Sequence, residues 1–357
     1  MPERKATRAK GRGSDIAPRN RFEAVERVDD FEQLEAEDAR LADDRTTPTQ
    51  FLPDDTQSIV AHNNSPDVSF TYSVNPYRGC EHGCAYCFAR PGHEYLGMNG
   101  GLDFESKILV KHKAPELLRK FLLKPSWKAE TIIFSGVTDC YQPVERRLRL
   151  TRGCLEVAFE ARQPISIITK NALVTRDLDL LRQMAALNLV HVNVSITTLD
   201  PELSRVMEPR TSTPAARFRA VKALSEAGVP VRVMTAPIIP GLNDSEIPAL
   251  LEAAKQAGAG DARYVLLRLP LTVEPVFMEW LRRTQPLKAE KVEGLVRQTR
   301  AGKMYQAKWG ERGVGSGPIA KQIGAMFEVF RTKHGFGDLP QHDASHFRPP
   351  HPQMRLF

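Results

Sequence analysis

Short runs of β-branched and other apolar residues recur through the middle of the chain, at 131–135, 165–169, 190–197, 229–236 and 262–269. Segments of helix length separate them. Strands joined through helices are parallel neighbours, because a parallel pair needs a crossover where an antiparallel pair needs only a tight turn. A further β-like run at 68–74 makes about six β–α units, so the pattern predicts an α/β domain on a parallel sheet. Local signals fit. Residues 145–162 read as one helix with Leu150, Cys154, Val157 and Ala161 on one face. Thr175 can cap the next helix, whose apolar positions include Leu178, Leu181 and Ala185. Thr213-Pro214 is an N-cap followed by proline at the first helical position, and Gly228 closes that helix. Asn243-Asp244-Ser245 opens another, and 288–301 and 319–333 read as helices beyond the last strand.

The stretch with the most chemistry follows the first strand: Asn75-Pro76-Tyr77-Arg78-Gly79-Cys80-Glu81-His82-Gly83-Cys84-Ala85-Tyr86-Cys87-Phe88. Three cysteines at C-x3-C-x2-C spacing cannot all pair as disulfides, but they can converge on one metal centre. Iron–sulfur clusters usually take four thiolates, so three would leave one iron open to a substrate or cofactor. Zinc held by Cys80, Cys84, Cys87 and His82 is a competing reading, although no second Cys or His knuckle lies nearby. A fully ligated electron carrier, with Cys140 or Cys154 as fourth ligand, is another.

The triplet, with aromatic Tyr86 before the third cysteine, resembles the signature of the radical S-adenosylmethionine (SAM) superfamily. The wider sequence, over about 68–310, resembles its spore photoproduct lyase-like branch. The resemblance implies a partial (β/α)6 TIM-like barrel with chemistry where strands end and loops begin. It implies a [4Fe–4S] cluster on Cys80, Cys84 and Cys87. SAM would bind the open iron through its methionine amine and carboxylate, and one electron would cleave it to methionine and a 5′-deoxyadenosyl radical that abstracts hydrogen from a substrate.

By the same resemblance, Tyr86 lies against the adenine. Ser135, Gly136, Val137, Thr138 and Asp139 stand where the family often has Gly-Gly-Glu for the SAM amine, so backbone carbonyls, Thr138 or Asp139 would substitute. Lys170 is the expected partner of the SAM carboxylate, through a charge-assisted hydrogen bond. Ser195 and Thr197, on one face of their strand, are candidates for the ribose. Arg210, in Glu208-Pro209-Arg210-Thr211, is a second carboxylate partner. Ile239 and Gly241, in the turn before Asn243 and Asp244, match an adenine-contacting turn. Cys140 corresponds to the cysteine that returns a hydrogen atom in the lyase. For each polar residue the competing role is a cap or turn, and for Cys140 and Cys154 it is a small core side chain.

Composition bounds the rest. The chain has 357 residues, 41% hydrophobic, enough for a large core, and five cysteines, which with the metal-like loop suggest a reducing compartment. Residues 1–55 segregate charge and carry little to bury, which predicts a disordered tail. Residues 311–357 form a helical C-terminal extension and tail in which Gly313-Val314-Gly315-Ser316-Gly317 is a connector, since no strand precedes it. No secretory h-region and no membrane-length apolar run are present, so a cytoplasmic protein is expected. Net charge of +7 suits an anionic partner such as nucleic acid, though a solvated surface accounts for it too. An external flavodoxin- or ferredoxin-like electron donor is implied by the resemblance. The alternative from another class is a non-catalytic Fe–S or zinc protein that binds nucleic acid or a protein partner.

Overall fold

The computed structural model describes residues 10–22, 47–68 and 70–351. Its strands, in chain order, are β1 (Gln50–Pro53), β2 (Val60–His62), β3 (Tyr72–Val74), β4 (Tyr77–Arg78), β5 (Lys107–Val110), β6 (Ile132–Phe134), β7 (Ile165–Thr169), β8 (Val190–Ser195), β9 (Val231–Ile238) and β10 (Asp261–Leu266). The main sheet runs β10-β9-β8-β7-β6-β3-β2. All its pairings are parallel except β2 with β3. Six parallel strands in sequence order, each followed by a connection outside the sheet, form the partial barrel.

Helices fill those connections. They are α1 (Leu102–Ser106), α2 (Ala114–Leu122), α3 (Glu145–Leu148), α4 (Leu150–Glu160), α5 (Leu178–Ala185), α6 (Pro201–Met207), α7 (Pro214–Glu226), α8 (Ile247–Gln256), α9 (Val273–Thr284), α10 (Ala289–Gln298) and α11 (Gly317–Lys333). The barrel strands are covered on both faces, as parallel strands must be: Ile132, Phe134, Ile165, Ile167, Val192 and Val233 on one face are fully buried, and Ile133, Ser166 and Asn193 on the other are buried too. In α7 the local signals hold. The Thr213 hydroxyl accepts the Ala216 N–H, Pro214 opens the helix, Ala220, Val221 and Leu224 face the core, and Gly228 turns away at φ +76°.

Three local expectations change. Residues 145–162 are two helices, because Arg149 takes a left-handed φ of 54°. The Glu145 carboxylate causes this by accepting the N–H groups of Thr151 (3.1 Å) and Arg152 (3.3 Å), which caps a new helix start. Thr175 does not cap α5. Its hydroxyl donates back to the Ala172 carbonyl at 2.9 Å, and Asn171 caps the preceding turn by accepting the Leu173 N–H at 3.0 Å. Nor does a disordered tail describe residues 10–22 or 47–55. Gly11, Gly13, Ser14 and Asn20 are buried, and β1 pairs with β5 in a second sheet, β1-β5-β4, that carries the start of the cysteine loop. The remainder of the expected tail lies outside the described residues.

The C-terminal helices close the structure, with α11 on α8, α10 and β10. Asp261 ties them together. Its carboxylate, fully buried, receives Arg232 of β9 (2.6 Å), Arg263 (3.3 Å) and Arg331 of α11 (3.2 Å). Burial pushes this carboxyl up, but Arg232 and its companions outweigh burial and hold it below the ordinary 3.8. Asp261→Asn should therefore lower unfolding free energy by about 2 to 4 kcal/mol near neutral pH, less than for a wholly buried pair because the arginines are part-exposed. The folded value lies below the unfolded one, so the contribution is complete above pH 3.8 and fades as pH falls through the folded value. Urea melts of wild type and variant across that range check this: the gap should shrink on acidification.

Candidate active site at the strand ends

The cysteine loop starts where β3 ends and curls over the C-terminal mouth of the barrel. Its backbone is fixed from several sides. Cys80 N–H donates to Phe104 O at 3.0 Å, and Ala85 N–H to Met207 O at 3.0 Å. Arg90, fully buried, donates to the carbonyls of Gly83 (3.2 Å) and Cys84 (2.9 Å), to Gly100 (3.1 Å) and Gly101 (2.9 Å), and to the Glu105 carboxylate at 3.0 Å. Gly79 and Gly83 take φ of +78° and +63°, which lets the loop turn back on itself. All five cysteines of the chain are free thiols; Cys80 and Cys84 are buried and Cys87 is half-buried.

Two charged groups under the loop link it to the neighbouring strand ends. Asp139, after β6, accepts Thr169 Oγ1 (2.8 Å) and the N–H groups of Lys170 (2.8 Å) and Tyr141 (2.9 Å), and faces His82 Nδ1 at 3.4 Å. The other ring nitrogen of His82 lies 3.3 Å from Asn171 Nδ2. Burial works against a charged ring, yet Cys80 and Asp139 outweigh it and lift the His82 pKa to about 10. With Nδ1 facing Asp139 and Nε2 facing the Asn171 amide N–H, both ring nitrogens of His82 are engaged and neither is free for a metal.

Glu208 is the second group. It is buried and accepts from the Tyr86 hydroxyl, from Thr197 Oγ1 (2.5 Å) and from Arg217 Nη2 (2.5 Å). Burial raises this carboxyl, but Arg217, Lys170, Thr197 and Tyr86 together hold it below its ordinary range. Arg217 also binds the carbonyls of Ser195 (3.0 Å) and Ser212 (2.7 Å). The Lys170 ammonium stands over the Tyr86 ring, 5.7 Å from its centroid. Burial drives the Cys84 thiol well up, Glu208 adds to this, and Lys170 opposes it; for Cys87, burial and Cys80 raise, while Arg90 and Lys170 lower.

The other expected residues divide by role. Ser135 takes φ +73°, and its hydroxyl accepts Cys140 N–H at 2.7 Å. Gly136 lies against Ser73, where a Cβ would come within 2.9 Å. Thr138 turns its hydroxyl to Tyr77 O at 2.9 Å, and its N–H, with that of Val137, goes to the Asn75 side chain. Arg210 pairs with Glu81 at 2.8 Å on the outer side of the loop. Ile239 N–H and Gly241 N–H are taken by Asn243 Oδ1 (2.6 Å) and Asp244 Oδ1 (3.0 Å), and Asn243 also donates to Thr197 O at 2.7 Å. Cys140 is fully buried in the main core, its carbonyl receiving the Thr151 hydroxyl at 2.6 Å. At the far side, Arg268 past β10 lies over the half-exposed Phe88 ring at 5.4 Å.

Comparison with known proteins settles the family. The model of the radical SAM superfamily matches residues 74–254, about half of the chain, including the cysteine loop and the four barrel strands β6 to β9. The chain belongs to the radical SAM superfamily. An uncharacterized protein of Mycobacterium tuberculosis (strain ATCC 25618 / H37Rv) is 41% identical over 225 residues, 62% of this chain and 66% of that protein. One from Methanocaldococcus jannaschii is 32% identical over 175 residues, 49% of this chain and 63% of that protein. Each match spans a little under two thirds of the relative. Among solved structures, spore photoproduct lyase complexed with dinucleoside spore photoproduct superposes with a TM-score of 0.56 at 16% identity, covering 80% of both chains. At that identity the likeness is one of fold.

Among the described residues no group of three or more His, Cys, Asp and Glu side chains forms a ready site for a single metal ion. Thiolates that each take a different iron of a cluster need not meet at single-ion distance. The radical SAM loop fits such a group by its donors: three free thiols on one loop, whose backbone Arg90 holds at Gly83 and Cys84. Sequence reasoning missed Arg90, Glu105 and Arg217, and quoted Asn75 and Glu208 without a role, because each acts through contacts that only the fold brings together. Glu208→Gln would leave the Arg217 guanidinium buried without its counter-charge. It should destabilise the apo protein by about 3 to 5 kcal/mol in urea unfolding. Glu202→Gln, on the exposed Glu202–Arg205 pair, should leave the midpoint unchanged.

Proposed function

We propose that this chain cleaves SAM reductively at a [4Fe–4S] cluster held by Cys80, Cys84 and Cys87 and uses the resulting radical to take hydrogen from a nucleic-acid substrate. When bound and reduced by an external flavodoxin- or ferredoxin-like donor, the cluster supplies the electron that splits SAM into methionine and a 5′-deoxyadenosyl radical. The observation that carries the reading is the gathering of Tyr86, Lys170, Thr197 and Glu208 beside the cysteine loop, at the ends of three different elements.

The residues have separate tasks. Lys170 offers a cation for the SAM carboxylate. Tyr86, locked by Glu208, presents a fixed ring edge for the adenine side. The turn at Ile239–Gly241, held by Asn243 and Asp244, forms the adenine wall. Ser195 and Thr197 border the ribose, and the 135–138 loop, pinned by Asn75, presents backbone to the amine. Asp139 and Arg210 act one step back: each holds the cysteine loop, Asp139 through His82 and Arg210 through Glu81. Full burial of Cys140 in the core favours a packing role over hydrogen return.

Nucleic acid as substrate rests on the mouth itself. Phe88, exposed directly after Cys87, offers a stacking face, and Arg268 above it offers a cation. The solved structure with the shared fold is a complex with a dinucleoside photoproduct. Fold likeness carries little about substrate, so the mouth chemistry is the stronger support.

Anaerobically reconstituted protein given dithionite and SAM should release 5′-deoxyadenosine, and Cys84→Ala should abolish this. Lys170→Ala should weaken SAM binding by about ten- to a hundredfold, the value of one charge-assisted hydrogen bond. Deuterium placed in candidate nucleic-acid substrates should appear in the 5′-deoxyadenosine. A reconstituted cluster with no SAM cleavage would instead favour the binding-protein reading. In filter binding, Arg268→Ala should lower nucleic-acid affinity and reduce the salt slope by about one.

A further inference from the structure

Residues 10–22 lie across the outside of the cysteine loop, far from it in sequence, and the fit is close. A Cβ on Gly13 would fall 1.8 Å from Gly83 O, and a Cβ on Gly101 would fall 2.0 Å from Ile16 O. The backbone N–H groups of Arg12 and Gly13 donate to the two oxygens of Glu105, the second at 3.2 Å. Glu105 is the carboxylate that holds Arg90, which in turn holds the Gly83 and Cys84 carbonyls. The segment is anchored beyond this point as well. Asp15 meets Arg283 of α9 at 3.1 Å, Asn20 Nδ2 donates to the carbonyls of Glu94 (2.9 Å) and Met98 (3.2 Å), and Arg21 meets the Glu94 carboxylate at 2.9 Å.

The Arg12 side chain enters the same region. One terminal nitrogen, Nη2, reaches Thr49 Oγ1. The other, Nη1, is buried with no hydrogen-bond partner. Its charged neighbours are Glu105, Glu81 and the Cys80 thiol, opposed by Arg210. A buried guanidinium N–H without a protein acceptor, on a side chain packed against Gly83 of the cysteine loop, is the donor that an anionic cluster sulfur or thiolate would satisfy.

We infer that residues 10–22 form a strap that completes the cluster site, with Arg12 a positioning residue whose guanidinium sets the cluster's reduction potential and whose backbone, through Glu105 and Arg90, holds the loop that carries Cys84. The inference rests on the cluster proposed above. Hydrogen bonds and local charge are among the chief determinants of an iron–sulfur potential, and a nearby cation favours the reduced, more negative state.

The test uses the full chain, reconstituted without oxygen, as wild type, Arg12→Gln, Arg12→Lys and Gly13→Val. Iron and sulfide per chain are measured, with the cluster's midpoint potential from an EPR-monitored redox titration. Arg12→Gln should load iron and titrate at a more negative potential than wild type, with Arg12→Lys recovering most of the difference. Gly13→Val, whose side chain must displace the strap from Gly83, should bind less than half the wild-type iron. An Arg12→Gln potential equal to that of wild type overturns the inference, whatever Gly13→Val does. A wild-type chain that takes up no iron and sulfide overturns the enzymatic reading and the strap's role with it, so the two failures are told apart.

Discussion

The guanidinium of Arg90 is wholly buried, and it is satisfied mainly by backbone carbonyls of the cysteine loop and of the segment ahead of α1. An arginine can do this because its planar fork of donors reaches several acceptors at once without a change of rotamer. Two of its acceptors belong to the cysteine loop and two to the segment ahead of α1, with Glu105 supplying the counter-charge. Remove that cation and these carbonyls would lose their buried donor, with Cys84 O keeping only the Cys87 N–H, and the loop would lose the tie between its two ends.

Around it the site is built by charged groups that each join pieces of chain distant in sequence. Glu208 joins Tyr86 of the loop to Thr197 after β8 and to Arg217 of α7. Asp139 joins β6 to β7 and to His82. Glu81 reaches Arg210 and the Val144 N–H. These carboxylates are buried and paired, the condition under which charge survives in an interior. Several polar residues that look like ligand contacts in the sequence are occupied in this scaffold, while the Lys170 ammonium stands over the Tyr86 ring and Arg268 over Phe88.

Much of the barrel is legible from periodicity. Runs such as 165–169 and 190–197 are rich in β-branched residues and separated by helix-length segments, and they become neighbouring parallel strands. The cap and glycine of α7 act as their residue types suggest. What periodicity misses has a common cause. The break at Arg149 comes from a Glu145 side chain folding over a helix start. The second sheet pairs β1 with β5 across more than fifty residues. The strap at 10–22 is low in apolar residues and reads as solvated, but it is held by glycine contacts and hydrogen bonds that hydropathy does not register.

By itself the sequence determined the order of strands and helices and the cysteine triplet, because both are set by local patterns of side chain and spacing. Only the tertiary structure decided which charged residues meet beneath that triplet, which expected ligand contacts are already engaged, and that residues 10–22 lie against the cysteine loop. Those outcomes depend on burial, and burial is a property of neighbours brought together by the fold.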